Sequence, residues 1–462
     1  MTEGNQTQAI FKLAIPFFLA NVVNLVVLFA DRVWIGVLGT TYLAAVGMAH
    51  AALVICVTTI MSPGIGTLTG VAKSVGANDA DAVSGYVRNG LFIGILTGVA
   101  FALGAMFVPD LLMSMMDQSG DNSSAVVAAA SGYLTISLSG LLVQAPLYVL
   151  TFALQGAGKA KAAFRLQSIA PIINLILDPV LIFDRAAMPI DWLPCAGLGL
   201  NGAALASVIG YGVALIIALI YVPRVLGISL WSEGLSGLKT KLIQFILKVG
   251  VPGTIEQLVR SAAILLLVRI LSPFGSAVLA AYTASIMVIM FLIFPGLALG
   301  QATAALVGQN LGAKKPMRAY TTALTSIGVY VLFMVVASLF IFWQADQLIA
   351  VFDRSPLVIE EGALILRRYT FCFPLVAFAI IVSKVFAGSG RTLPPMLSSI
   401  IAHLVIQIPL AWWWSQTYGQ GGAYWAMVVA FWIHGSLNII FFVWWRRDTL
   451  RTHASMKKAS DY

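Results

Sequence analysis

Residues 13–46 read LAIPFFLANVVNLVVLFADRVWIGVLGTTYLAAV, and residues 249–282 read VGVPGTIEQLVRSAAILLLVRILSPFGSAVLAAY. The second stretch copies the first. Pro16 falls on Pro252, 236 positions later. The same shift carries Gly39 onto Gly275, Leu43-Ala44-Ala45 onto Leu279-Ala280-Ala281 and, further on, Gly76-Ala77 onto Gly312-Ala313. An internal repeat on this scale predicts two halves of one architecture. One acid breaks the copy: Asp31, inside an apolar run, falls on Leu267. A carboxylate at membrane depth is costly and marks a functional candidate.

Composition bounds the class. Of 462 residues, 60% are hydrophobic and 10% charged, with a mean hydropathy of +0.94; a soluble protein carries about 25% charged residues. About 20 apolar residues span a bilayer, and the runs here are long and numerous enough for a polytopic helical membrane protein. An outer-membrane barrel would show short alternating segments instead. The net charge of +9 reads as loop charge that sets membrane orientation, not as a nucleic-acid surface. Cys56, Cys195 and Cys372 have no metal-ligand spacing and read as small apolar side chains. The start, MTEGNQTQAIFK, lacks a signal-peptide pattern, so the first apolar run is a retained helix.

The runs give twelve helices: 10–37, 43–72, 84–108, 125–156, 162–183, 198–222, 242–271, 277–310, 317–344, 357–388, 393–414 and 421–445. With the N-terminus inside, the inner connections hold 19 basic residues and the outer ones only Arg185 and Arg354. That asymmetry is what positive-inside orientation demands, and dropping one helix would scramble it. Both termini are expected in the cytoplasm. The fold class is therefore an all-α polytopic membrane protein with twelve transmembrane helices in two six-helix bundles, related by a pseudo-twofold along the membrane normal. The expected organisation is an N-terminal bundle over 1–222, a cytoplasmic linker over 223–241, a C-terminal bundle over 242–446, and a basic, disordered cytoplasmic tail over 447–462.

Polar residues of the first half fall on single helix faces. Asn24 and Asp31 are seven apart on helix 1. Gln144, Tyr148, Thr151 and Gln155 repeat at 4, 3 and 4 on helix 4, and Gln167, Asn174 and Asp178 make one stripe on helix 5. Lipid satisfies none of these groups, so they predict a shared interior surface. Interhelical hydrogen bonding would explain the glutamines equally well, but a carboxylate with no facing cation is poor glue. Asp31 and Asp178 lie at similar depth, 19 residues after Lys12 and 13 after Arg165, in the outer half of the bilayer. Two buried carboxylates close together hold a shared proton more readily than two charges, which is how a proton carrier is built. Arg32 projects about 100° away from Asp31.

The second half carries other chemistry. Glu256 and Lys384 sit at similar height in the inner half, eight residues past Lys248 and seven before Arg391, and Arg260 is one turn beyond Glu256. A Glu256–Lys384–Arg260 cluster would be an ion network or a substrate contact. His403 and Gln407 share a face of helix 11, and His434 and Asn438 a face of helix 12; satisfied polar residues are the expected reading. Met287 and Met290, with Phe291 and Phe294 on helix 8, either pack or line a pocket for apolar cations. Seven prolines, Pro16, Pro63, Pro171, Pro179, Pro252, Pro295 and Pro374, fall inside helices and predict bends. The Pro-Gly pairs at 63–64 and 295–296 are one turn out of register, so the halves should bend at different depths.

The LAIP start, FADRVWIGVLG…LAAVGMA, SVGAND, LQGAGKAKAAF, FAGSGRTLPPM, NLILDPVLIF and VPGTIEQL…LAAY together resemble the multidrug and toxic compound extrusion (MATE) family, in its DinF-like prokaryotic branch, over nearly the whole chain. The resemblance implies two six-helix bundles forming a V around a central cavity, and export driven by inward H+ or Na+. It assigns cation coupling to Asp31, Asn174 and Asp178, with Na+ possible at those three and no other metal site. The sodium-coupled branch has a glutamate where this chain has Arg260, so no sodium site carries over to the second half. The expected function is a secondary antiporter exporting amphipathic, cationic drugs or metabolites. The alternative is a flippase or exporter of a lipid-linked or anionic substrate, favoured by Arg260, Lys384 and the Arg367-Arg368 pair. Candidate substrate contacts are Asn24, Gln144, Tyr148, Thr151, Gln167, Glu256, Arg260, Met287, Met290 and Lys384. No nucleophile–base pair or phosphate loop is found, so neither an enzyme nor ATP drive is expected. No cofactor is expected beyond the coupling ion. The partners would be small molecules and the lipid bilayer, with no nucleic acid, and the setting a monomer in the inner (plasma) membrane.

Overall fold

The computed structural model describes residues 3–107, 123–184, 195–230 and 234–460. Twelve helical spans follow one another: α1 (Gln6–Leu38), α2 (Thr40–Ile60 continued by Ser62–Gly76), α3 (Ala80–Gly104), α4 (Ser123–Gly156), α5 (Ala160–Ile182), α6 (Leu200–Leu226), α7 (Thr240–Leu271), α8 (Ser276–Gly312), α9 (Pro316–Ala350), α10 (Pro356–Thr370 and Phe373–Ser389), α11 (Leu393–Tyr418) and α12 (Gln420–Ser460). Eleven are long and apolar enough to cross a membrane, and the two pieces of α10, bent by 61°, make the twelfth. The twelve expected spans are therefore present among the described residues.

The repeat is visible in how helices end. Asn78 and Lys314 both take left-handed backbone, φ 57° and 55°. Each is followed by an N–H that reaches back five residues, Asp79 to Ser74 O at 3.0 Å and Lys315 to Asn310 O at 2.8 Å. Gly158 and Gly390 do the same, with Lys159 N–H on Leu154 O and Arg391 N–H on Phe386 O, both at 2.9 Å. This closure satisfies the last orphan carbonyls of a helix. SVGAND, QNLGAKK, QGAGK and AGSGR thus encode the same stop signal at matching places in the two halves.

Close packing is repeated too. A Cβ added to Gly156 would overlap the carbonyl of Leu68, and one added to Gly388 the carbonyl of Ala304. Lipid gives no hydrophobic drive between helices, so small residues that let backbones touch carry the association. α4 therefore lies directly on α2, and α10 on α8.

The prolines act unequally. α2 breaks at Met61, two residues before Pro63, and α10 breaks at Phe371–Cys372, two before Pro374. Both prolines sit in the first turn of the following piece, where a missing N–H costs nothing. α8 runs unbroken through Pro295. The second-half break therefore falls in α10 and not at the Pro-Gly pair of α8. α11 carries a π-helical stretch, Ile400–Gln407. The expected disordered tail is instead a continuation of α12 to Ser460.

The chain packs as two compact units: Met1–Phe18, Gly76–Asn78 and Val251–Tyr462 in one, Leu19–Val75 and Asp79–Gly250 in the other. This partition assigns the first turns of α1 and of α7 to the units opposite those that a division at 223–241 would give.

Candidate functional site

In the unit Leu19–Val75 with Asp79–Gly250, helix ends fix the position of the acids. Ile35 of α1, Ala45 and Val46 of α2, Ala130 of α4, Ile182 of α5 and Ala203 of α6 form one buried cluster. Trp34 meets Phe183 edge-on with ring centroids 5.9 Å apart. Asp31 lies one turn below Trp34 and Asp178 one turn below Ile182, so this apolar plug holds both acid-bearing helices at its base.

Below it is a cavity of about 180 Å³, lined by Asn24, Asp31, Tyr133, Pro171, Asn174, Ser207 and Tyr211 among others. Asn174 Nδ2 donates to Asp178 Oδ1 at 2.9 Å and to Ser207 Oγ at 3.1 Å. Asp178 is 0% exposed, one hydrogen bond back from the cavity wall, and its Oδ2 has no partner. Asp31 reaches the cavity from α1, near enough for its charge to act on Asp178. A buried carboxylate oxygen without a donor is relieved by a proton or a bound cation. Pro171 borders the cavity and Pro179 follows Asp178.

A second cavity of about 260 Å³ shares Tyr133, Ser207 and Tyr211 with the first and extends to His50, Thr58, Ser137 and Gln144. Gln144 Nε2 donates to Tyr148 OH at 3.1 Å. Thr151 bonds back to Leu147 O at 2.9 Å, and Gln155 is fully buried with both amide atoms unpartnered. Asn24 bonds its own helix at Ala20 O, 2.9 Å away. Gln167 is half-buried and lines neither cavity. The three polar stripes therefore divide: Asn24, Asp31 and Asn174 share one cavity and Gln144 lines the next, while Tyr148 bonds to Gln144 and, with Thr151 and Gln155, lines neither.

Sequence reasoning missed Tyr133, Ser207, Tyr211 and His50. Ser207 and Tyr211 are i, i+4 on α6, and Tyr133 and Ser137 are i, i+4 on α4, a spacing that could have flagged them.

In the other unit, Glu256 is 4% exposed. Its Oε1 pairs with Arg260 NH1 at 3.2 Å and its Oε2 accepts from Ser383 Oγ at 2.8 Å. Ser399 Oγ reaches the Glu256 backbone carbonyl at 3.4 Å. Lys384 is half-buried, its stem against Gly300 of α8, and among the described residues it forms no ion pair with Glu256. Of the expected cluster the acid pairs with Arg260, and Ser383, which the sequence reading did not include, takes its other oxygen. In thermal unfolding in detergent, the Glu256→Gln/Arg260→Gln cycle should show a coupling of about 1 kcal/mol, kept small because the Arg260 side chain is 30% exposed. The Glu256→Gln/Lys384→Met cycle should show less. A larger coupling to Lys384 would contradict this assignment.

His403 Nδ1 meets Gln407 Oε1 at 2.7 Å, and the His403 and His434 rings are 4.9 Å apart. Met287 is exposed and Met290 half-buried on α8. Arg367 pairs with Asp346. Arg368 donates to Gly421 O at 2.8 Å and lies over the rings of Tyr424 and Trp425.

The family model described as MatE matches residues 16–180 and 252–413, two segments that begin at Pro16 and Pro252 of the repeat. The probable multidrug resistance protein NorM of Thermotoga maritima is 24% identical to this chain, over 97% of the chain and 95% of that protein. The probable multidrug resistance protein YpnP of Bacillus subtilis is 22% identical, over 91% of each. A solved structure described as the outward-facing conformation of a multidrug resistance MATE family transporter matches with a TM-score of 0.86 at 23% identity, over 97% of both chains, a likeness of fold.

Proposed function

The chain belongs to the MatE family of membrane transporters, and from that premise we propose that it exports small amphipathic molecules, cations among them, in exchange for inward-moving H+. The observation that carries the coupling is the fully buried Asp178, with one oxygen held by Asn174, the other unpartnered, and Asp31 on the adjoining cavity. Proton uptake there neutralises a charge that the interior otherwise strands. Na+ is the competing ion, because Asp31, Asn174 and Asp178 offer it oxygen ligands. The names of the Thermotoga maritima and Bacillus subtilis relatives support multidrug substrates. Dye efflux from everted vesicles, with proton and sodium gradients imposed separately, tests the reading. Efflux should follow the proton gradient; efflux that follows sodium alone would reassign the ion.

The anionic alternative loses cations to local partners. Arg367 is paired with Asp346 and Arg368 is held by Gly421 O and two rings, which leaves that alternative Lys384 and the Arg260 donors not on Glu256.

The distribution of basic residues supports both ends in the cytoplasm, and the setting we propose is the inner membrane, as a monomer. A cysteine at Lys239 should label only from the cytoplasmic side, and one at Arg354, between α9 and α10, only from outside. Labelling of both from one side would overturn the orientation. Asp121, the other outer position expected from the sequence, lies outside the described residues.

A further inference from the structure

The polar interiors of the two units differ in sign. Around the first cavity, Asp31 and Asp178 outweigh Arg32 by one negative charge. In the other unit, Arg260 and Lys384 outweigh Glu256 by one positive charge. The remaining acids of that unit offer no relief at this depth. Asp346 is on Arg367, Asp448 on Arg391 and Glu3 on Lys315, Asp353 accepts from the Ser355 N–H, Glu361 accepts from Gln420 and Tyr424, and Glu360 is exposed. Lys384 donates no hydrogen bond among the described residues, and Arg260 uses one of its five N–H groups on Glu256. Both side chains remain accessible: Arg260 is 30% exposed and Lys384 half-buried. Ser383 holds the second Glu256 oxygen, so each carboxylate oxygen has a partner other than Lys384.

A half-buried ammonium that has to share its counter-charge, Glu256, with Arg260 leaves a net positive surplus that an anion relieves. We propose that Lys384, with the free donors of Arg260, forms a subsite that binds one carboxylate of the transported molecule. The charge limits the class to monoanions, of which a carboxylate is the one proposed. The excess is a single positive charge, which one carboxylate neutralises; a phosphate dianion would leave a negative excess in the same low-dielectric surroundings. The substrates would then combine an apolar or cationic body with a carboxylate. This deepens the export reading and rests on it for transport, but binding can be measured without it.

Rhodamine 110 and its methyl ester, rhodamine 123, share one ring system and differ in the free carboxylate. Their binding to the purified full-length protein in detergent is read by fluorescence polarisation. The carboxylate dye should bind about fivefold more tightly, the value of one partly solvated ion pair. Lys384→Met should bring the two affinities to within about twofold of each other, and Lys384→Arg should keep them apart. Benzoate should compete with rhodamine 110 and benzamide should not, an arm that needs no variant. Equal affinities in the natural protein, equal competition by benzoate and benzamide, or an unchanged preference in Lys384→Met would each overturn the subsite. Carboxylate-selective binding without efflux of either dye under any gradient would sink the export reading and leave the subsite standing. Efflux without a carboxylate preference would do the reverse.

Discussion

Asp178→Asn should reduce gradient-driven efflux to the level of vesicles lacking the protein while leaving the protein folded. The side chain is 0% exposed, and among the described residues its only hydrogen bond is from Asn174 Nδ2 at 2.9 Å. An amide fits the same space and can keep an oxygen on Asn174, but it cannot take up or release a proton. Its N–H group would occupy the place of the unpartnered Oδ2, where the protonated acid would carry its O–H. The variant is thus a permanent copy of the neutral state and should be stable. Asp31→Asn should have nearly the same effect from the α1 side. Asn174→Ala should be milder, because it removes the hydrogen bond and not the titrating group. The measurements are efflux under an imposed pH gradient, and thermal unfolding in detergent as the control for folding. A ligand that binds at high pH should bind Asp178→Asn with little pH dependence, since the variant no longer exchanges a proton. Full efflux by Asp178→Asn would leave the acids as structural polar contacts.

Gly388→Val and Gly156→Val should yield little folded protein. Each glycine lies against the backbone carbonyl of a neighbouring helix, Ala304 and Leu68 respectively, so a Cβ meets an atom that no rotamer change can move. Opening the helix pair forfeits contacts along its length, and alanine at either site should already cost about 3 kcal/mol or more. Gly212 and Gly328 are the controls, also helical but with open space around the Cβ position. There alanine should be neutral or stabilise by up to about 1 kcal/mol, through helix propensity alone. Monodisperse yield and unfolding temperature in detergent check both signs. Comparable losses at all four positions would mean that close packing is not what these glycines provide.

The sequence by itself determined the fold class, because the controlling forces are local. A run of about 20 apolar residues must satisfy its own backbone in lipid and so becomes a helix. The repeat of Pro16 at Pro252 determined that this happens twice. Asp31, Asn174 and Asp178 were legible for the same reason: a carboxylate in an apolar run has few structural uses. Tyr133, Ser207 and Tyr211 were not singled out, since such residues and such i, i+4 spacings are common on membrane helices and only packing brings these three to one cavity wall. Tertiary structure alone also decided which prolines break a helix. Pro63 and Pro374 each open a new piece, whereas α8 passes Pro295 unbroken, with Gly296 packed against the Tyr330 ring. It decided the partner of Glu256. Arg260 was one turn away on the same helix, but Ser383 is 127 positions distant and Lys384 is its immediate neighbour. Successive residues on a helix point about 100° apart. Which of the two faces Glu256 is set by the rotation of α10 against α7, a quantity that no local pattern contains.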